Sequence, residues 1–338
     1  MIHNRQDQML LVGDIGGTKT NLGVYTPAQG PRDPVCEAIF SSAQYESLEV
    51  LAHEYLAQAG LSVEYAVFGV AGPVVQSRAT ITNLSWKIDE EHLAEVLNVR
   101  CAKLINDLES IANGVPILQE EDVFTLNAGI VDPQGPKAVL APGTGLGEAF
   151  LIWNGQCYQA QPSEGGHADF APTSPIQTEL WQYLHERFGH VSFERVCSGR
   201  GIPNIYAFLK DSGYAPEPPW LTDILSSEKD LTAVIINAAL DETKDCELCR
   251  ETLDVFVSIL GAEAGNLALK VMATGGVYLA GGIPPRIMPA LKMSGMMETF
   301  QNKGRLSDVI QNIPVYVIMN PKVALFGAAS FGLAFMQA

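Results

Sequence analysis

The chain has 338 residues, 47% of them hydrophobic and only 17% charged, with 31 glycines, which is more apolar material than one core uses and predicts two folded domains rich in tight turns. Its formal net charge of -17 repels phosphate backbones and anionic lipid, so no nucleic acid and no membrane is expected as a partner. No stretch reads as long and apolar enough to span a bilayer, since 271–283 is cut by Gly275-Gly276 and Gly281-Gly282, and 9–12 is too short a run, with Asp14 soon after it, for a secretion signal.

In chain order, 9–12 reads as a buried strand running into Gly13-Asp14-Ile15-Gly16-Gly17-Thr18. Alternation resumes at 21–25, so this glycine turn joins two strands and does not open a helix. Helical spacing covers 47–59, with Leu48, Leu51, Tyr55 and Leu56 on one side. A strand at 65–70 ends in Ala71-Gly72-Pro73, 90–97 is helical, and a strand at 102–105 stops at Asn106-Asp107 before a helix at 108–113. A second glycine turn, Pro142-Gly143-Thr144-Gly145-Leu146-Gly147, lies between strands at 138–140 and 149–153. The repeated unit of strand, glycine turn and strand suggests an internal duplication. Further helices are expected at 177–188, 254–273, 285–293 and 324–335, with strands at 277–280 and 315–319 and an exposed connection at 211–219.

The six scattered cysteines read as reduced thiols of the cytoplasm. Cys246 and Cys249 lack a second ligand pair and read as ordinary helix residues.

Glycine lets a backbone approach phosphate oxygens, and successive turn amides form an anion-binding nest. Two such turns, one with Thr18 and one with Thr144, suit a polyphosphate held from both sides. A dinucleotide fold would need Gly-x-Gly-x-x-Gly between a strand and a helix; Gly143-Thr144-Gly145-Leu146-Gly147 has the wrong spacing. Asp14 stands where a pyrophosphate would be repelled unless Mg²⁺ or its waters lay between. No Gly-Lys-Ser/Thr follows a glycine loop, so a Walker A site is absent.

Asn106-Asp107 at a strand end is open to two readings. Asn-Asp is a good helix cap, and an Asp at the carboxyl end of an α/β strand can also take the proton of an attacking hydroxyl. Glu164 and His167, three apart in a glycine-rich loop, offer several hydrogen-bonding groups to one polyol. Glu194 by itself reads as a solvated helix residue.

These segments together resemble the bacterial glucokinase family of the actin-like, sugar-kinase ATPase superfamily. The resemblance rests on the two glycine turns, Gly72-Pro73, Thr82-Asn83-Leu84-Ser85-Trp86, Ile105-Asn106-Asp107 and Glu164-Gly165-Gly166-His167. It rests further on the run from Gly189 through Glu194-Arg195, on Ser198-Gly199 and on Leu279-Ala280-Gly281-Gly282-Ile283. It implies a two-domain α/β fold of the actin-like ATPase (ribonuclease H-like) type with a cleft between a small domain, 1–117 plus 323–338, and a large domain, 118–322. It implies ATP-dependent phosphorylation of D-glucose at the 6-hydroxyl, with Asp107 as general base and Asn83, Asn106, Glu164, His167 and Glu194 holding the other hydroxyls. The nucleotide would be met by Gly13, Asp14, Gly16, Gly17 and Thr18, by Gly143, Thr144 and Gly145, and by Gly281 and Gly282, with Asp14 acting through water on Mg²⁺. Related repressors and kinases carry a cysteine-rich zinc loop after the sugar-binding His, where this chain has Ala168-Asp169-Phe170-Ala171, so no zinc is expected. A cytoplasmic homodimer is the family expectation. A kinase for another hexose or amino sugar, or a sugar-sensing regulator, is the alternative.

Overall fold

The alternation in the first strand sorts its side chains onto two sides of one sheet. Leu10 and Val12 join one buried cluster, and Leu11 and Ile15 join another, as period-two side chains must. The computed structural model describes residues 8–81 and 84–337, apart from the side chain of Ser294. The chain divides into two compact units, Met1–Gln119 with Gln156–Pro162 and Asn320–Ala338, and Glu120–Gly155 with Ser163–Met319. The boundaries expected from the sequence, 117/118 and 322/323, lie two or three residues away, and 156–162, expected in the large domain, groups with the first unit.

In the first unit the elements are β1 (Leu10–Ile15), β2 (Lys19–Tyr25), β3 (Cys36–Ser41), α1 (Leu48–Ala59), β4 (Tyr65–Val70), β5 (Val74–Val75), β6 (Arg78–Thr80), β7 (Lys87–Asp89), α2 (Glu90–Val96), β8 (Cys101–Asn106) and α3 (Asp107–Gly114). The main sheet runs β3-β2-β1-β4-β8, and β5, β6 and β7 form a small antiparallel sheet. β1 is antiparallel to β2 and parallel to β4, which is parallel to β8. Ser47 caps α1 by accepting the Val50 N–H.

The second unit carries β9 (Val123–Asn127), β10 (Lys137–Pro142), β11 (Leu146–Trp153), α4 (Pro175–Phe188), α5 (Gly201–Asp211), α6 (Pro219–Ser227), α7 (Leu231–Leu240), α8 (Glu247–Val271), β13 (Gly276–Leu279), α9 (Met288–Leu291), α10 (Ser294–Gln301), α11 (Ser307–Ile310) and β14 (Val315–Ile318); Tyr158–Ser163 is β12. Its sheet contains the run β11-β10-β13-β14-β9. β11 is antiparallel to β10, and β10, β13 and β14 are parallel. The order and senses of β2-β1-β4-β8 recur in β11-β10-β13-β14, and the two glycine turns fall at matching joints. The internal duplication suggested by the sequence is therefore a duplication of sheet topology.

α8 departs from the expectation that no segment could cross a membrane: by length and composition alone it could. Most of its apolar stretch is buried in the second unit's core, and a helix apolar all round is what a core position requires. The helix expected at 285–293 is a short 3₁₀ turn, Pro284–Ile287, followed by α9. Pro289 lies inside that stretch, and its ring and missing N–H interrupt a continuous helix. The last helix, α12 (Val323–Gln337), packs on α3, β1 and β4 of the first unit.

Candidate active site

In the first unit the site is built at the carboxyl edge of the parallel strands. β1 ends beside β4 and β4 beside β8, so Ile15, Val70 and Asn106 share one row. Gly13 is still inside β1, against the Phe68 ring. The turn proper follows: the Gly16 N–H donates to the Lys19 carbonyl at 2.9 Å. Among the described residues the Gly17 and Thr18 amides have no hydrogen-bond partner. Two adjacent free N–H groups at a glycine turn are what an anion-binding nest presents.

Asp14 is half-buried, and Asn21 Nδ2 donates to its Oδ2 at 3.0 Å. Burial raises its carboxyl above the ordinary aspartate range, and the Asn21 bond offsets part of that. Of the two readings that the sequence left open for Asn106-Asp107, the helix cap is present in the bonds of Asn106. Asn106 Oδ1 accepts the Leu108 N–H at 2.8 Å and so caps α3, while its Nδ2 donates to the Gly72 carbonyl at 2.9 Å. Asp107 is the first helical residue, and its Oδ1 accepts the same Leu108 N–H at 3.0 Å. Burial pushes its carboxyl up to about 6, with a smaller push from the charge of Asp14 and an opposing pull from the Leu108 N–H. Asn83 lies outside the described residues.

In the second unit the turn between β10 and β11 is closed by the Gly143 N–H donating to the Gly145 carbonyl at 2.9 Å. The Thr144 and Gly145 amides have no partner among the described residues. Glu194, in the 3₁₀ turn Phe193–Arg195, reaches this turn: its Oε2 accepts the Leu146 N–H at 3.0 Å. A Cβ on Gly145 would stand 2.4 Å from that oxygen, so a side chain there is incompatible with Glu194 as placed. Gly199 donates to the Gly143 carbonyl at 2.7 Å, and Gly281, at φ 84°, lies against Pro142. Gly282 follows it, exposed.

Glu164 and His167 flank the 3₁₀ turn Gly165–His167, and both side chains are exposed. The loop that follows is tied to the segment before Glu194 by backbone bonds, Phe193 N–H to Ala168 O at 3.0 Å and Phe170 N–H to Val191 O at 2.9 Å. A hydrogen bond between His190 Nε2 and Asp169 Oδ1 at 2.9 Å adds to this. The second unit therefore brings Glu164, His167, Glu194, the glycine turn and Gly281 into one neighbourhood, although 138 positions separate Gly143 from Gly281.

A model of the glucokinase family matches residues 11–334. The chain belongs to the glucokinase family. It is similar to a glucokinase of Nostoc punctiforme, 42% identical over 335 residues that cover 95% of this chain and 98% of the relative. It is also similar to a glucokinase of Yersinia enterocolitica, 36% identical with 95% of each chain covered. A solved glucokinase from an Antarctic psychrotroph superposes with a TM-score of 0.84 at 31% identity, covering 97% of this chain and 99% of that one. The fold is the two-domain actin-like ATPase fold expected from the sequence.

One residue of this glucokinase-family site was not visible in the sequence. Ser42 is fully buried; its Oγ donates to the Gly16 carbonyl at 2.8 Å and pairs with Thr20 Oγ1 at 3.0 Å. Its N–H donates to the Thr18 carbonyl at 3.0 Å. Ser42 thus fixes the first glycine turn from behind. No local pattern marks it, because β2 and β3 must pair before it reaches the turn.

Proposed function

We propose that this chain phosphorylates D-glucose with ATP, and that Asp107 is the general base on the 6-hydroxyl. The observation that carries the base assignment is the Asp107 carboxyl at the head of α3, raised to about 6 by burial. A base with that proton affinity is ionised at neutral pH and still basic enough to take a proton as the hydroxyl attacks. Asn106 orients it: with Oδ1 on the Leu108 N–H and Nδ2 on Gly72, the amide is held beside the Asp107 carboxyl and hydrogen-bonds to it.

Glu164, His167 and Glu194 supply acceptors and donors to the remaining sugar hydroxyls. The free amides at Gly17 and Thr18 and at Thr144 and Gly145 suit phosphate oxygens, and donors fixed before the reaction stabilise charge that grows on the phosphoryl group. Gly281 and Gly282 leave room for a nucleoside. Among the described residues no group of three or more His, Cys, Asp or Glu is placed to hold a metal ion. That donor set fits Mg²⁺ carried on the phosphates and met by Asp14 through water. So held, Mg²⁺ would neutralise phosphate charge. The protein's own part is to place the hydroxyl, take its proton on Asp107 and keep water from competing.

The same reading makes the protein a cytoplasmic homodimer; none of the six cysteines is in a disulfide, which suits a reducing compartment. The test is a coupled assay of glucose-dependent ADP release with ATP, GTP and polyphosphate compared as donors, with and without Mg²⁺. Release with ATP, Mg²⁺ and glucose supports the reading. No glucose-stimulated ADP release under those conditions overturns it.

A further inference from the structure

Beneath the Glu164–His167 loop lies a pair of carboxyls that the reaction as described does not use. Glu148 on β11 is 2% exposed, and Glu263 on α8 is 0% exposed. Glu263 has partners: Lys270 Nζ at 3.3 Å and Asn266 Nδ2 at 2.9 Å. Lys303, just after α10, stands behind it, bonded to Asn266 Oδ1 and to the Ala262 carbonyl, each at 2.9 Å. Glu148 has none of these. Its Oε1 is buried with no hydrogen-bond donor, a costly state for a carboxylate.

A protonated carboxyl resolves that cost, because its O–H can donate to the facing Glu263 carboxylate. Burial raises both groups, and at Glu148 the charge of Glu263 adds to it, bringing Glu148 up to about 7. The other titratable and charged neighbours do not replace the proton. Lys303 acts on Glu263, Lys270 acts on Glu263 and pulls Glu148 down by less than burial and the Glu263 charge push it up, and the buried Cys197 thiol is pushed well up by burial and stays neutral. The remaining oxygen of Glu148, Oε2, lies under Gly165: a Cβ there would stand 1.9 Å from it. The carboxyl is thus in direct support of the backbone between Glu164 and His167.

We propose that Glu148 is a positioning residue for the sugar-binding loop, holding Gly165 from beneath through a proton it shares with Glu263. With the proton in place the loop rests on a neutral, hydrogen-bonded pair. When the proton leaves to solvent, two facing carboxylates repel, Glu148 is driven against Gly165, and Glu164 and His167 lose their placement. The proposal rests on the assignment of Glu164 and His167 to glucose.

The test is calorimetric measurement of the glucose Kd between about pH 6 and 8.5, in an Asp107→Asn background so that Asp107 does not titrate. Kd should rise as pH passes through about 7; a half-unit difference in the pair's proton affinity between free and glucose-bound protein corresponds to about threefold. Glu148→Gln, whose amide N–H donates to Glu263 as the proton does, should hold the low-pH Kd throughout. A flat Kd in the parent, or a Glu148→Gln profile that follows the parent, overturns the proposal. If Glu148→Gln does not fold, difference infrared spectroscopy on the parent decides: a carboxylic C=O band must disappear through the same pH interval, and its absence overturns the proposal. Glu164→Ala and His167→Ala separate the two ideas, since unchanged glucose binding in both would remove the sugar assignment itself.

Discussion

Asp14 and Asp107 close the same edge of one sheet at the ends of its parallel strands, with β4 between β1 and β8. Strand spacing puts their rows about 10 Å apart, and the charge on Asp14 adds to the burial that lifts Asp107 to about 6. Asp107 works as a base only when ionised, so kcat should fall as pH drops through about 6 and reach its plateau above it. Asp14→Asn removes the smaller of the two causes, so the acid limb of the kcat profile should move to lower pH, whatever happens to the plateau rate. An unmoved limb would separate the two carboxyls electrostatically. The same variant should need more Mg²⁺ for half-maximal rate.

Asp107→Asn keeps the side chain's size and its hydrogen bond to the Leu108 N–H, so glucose should bind nearly as before. Turnover should drop by at least about a hundredfold, the usual scale for a general base. Single-turnover kinetics beside a glucose titration would check both halves. Near-normal turnover removes Asp107 from the role.

Glu194→Ala tests a link between the sugar and the nucleotide. The variant removes the acceptor proposed for the sugar and also strands the Leu146 N–H beside the second glycine turn. Losing one such charged hydrogen bond is worth about 1.5–3 kcal/mol, or roughly tenfold and upward in KM. We expect the KM for glucose and the KM for ATP both to rise. A change in the glucose KM alone would confine Glu194 to the sugar.

Ser42→Ala should loosen the first turn without touching a substrate. The Gly16 carbonyl and the Thr20 hydroxyl would lose a partner inside the protein, at a cost of about 1–3 kcal/mol. Urea denaturation should show the lower midpoint, and steady-state kinetics should show a higher KM for ATP with little change for glucose.

The sequence carried the elements whose local chemistry decides them. β1, β4 and β8 are long apolar runs, α1 has its Ser47 cap, and both glycine turns declare themselves between strands. Asp107 could be found because it ends such a strand. β5 and β6 could not be read, since strands of two or three residues give no period to follow. The relation of Glu194 to Leu146 was also hidden: it depends on two loops meeting over the end of β10. Glu148 and Glu263 are hidden for the same reason, being 115 positions apart and informative only once both are seen buried together. Asn106 shows the converse: the helix cap legible in the Asn-Asp pair is present, and the same amide also ties the strand end to Gly72.

The last helix of the chain, α12, completes the cluster that Leu10, Val12, Tyr25 and Val67 begin. On the ribosome these first apolar side chains emerge long before Leu325, Ala329 and Leu333 are made to cover them. Only residues 156–162 of the first unit are made in the meantime. Domains generally fold as units, the earlier-made one first. Here the unit begun first must wait for its closing helix, so the second unit is expected to fold first, and the nascent chain carries an uncovered apolar sheet face until α12 is made.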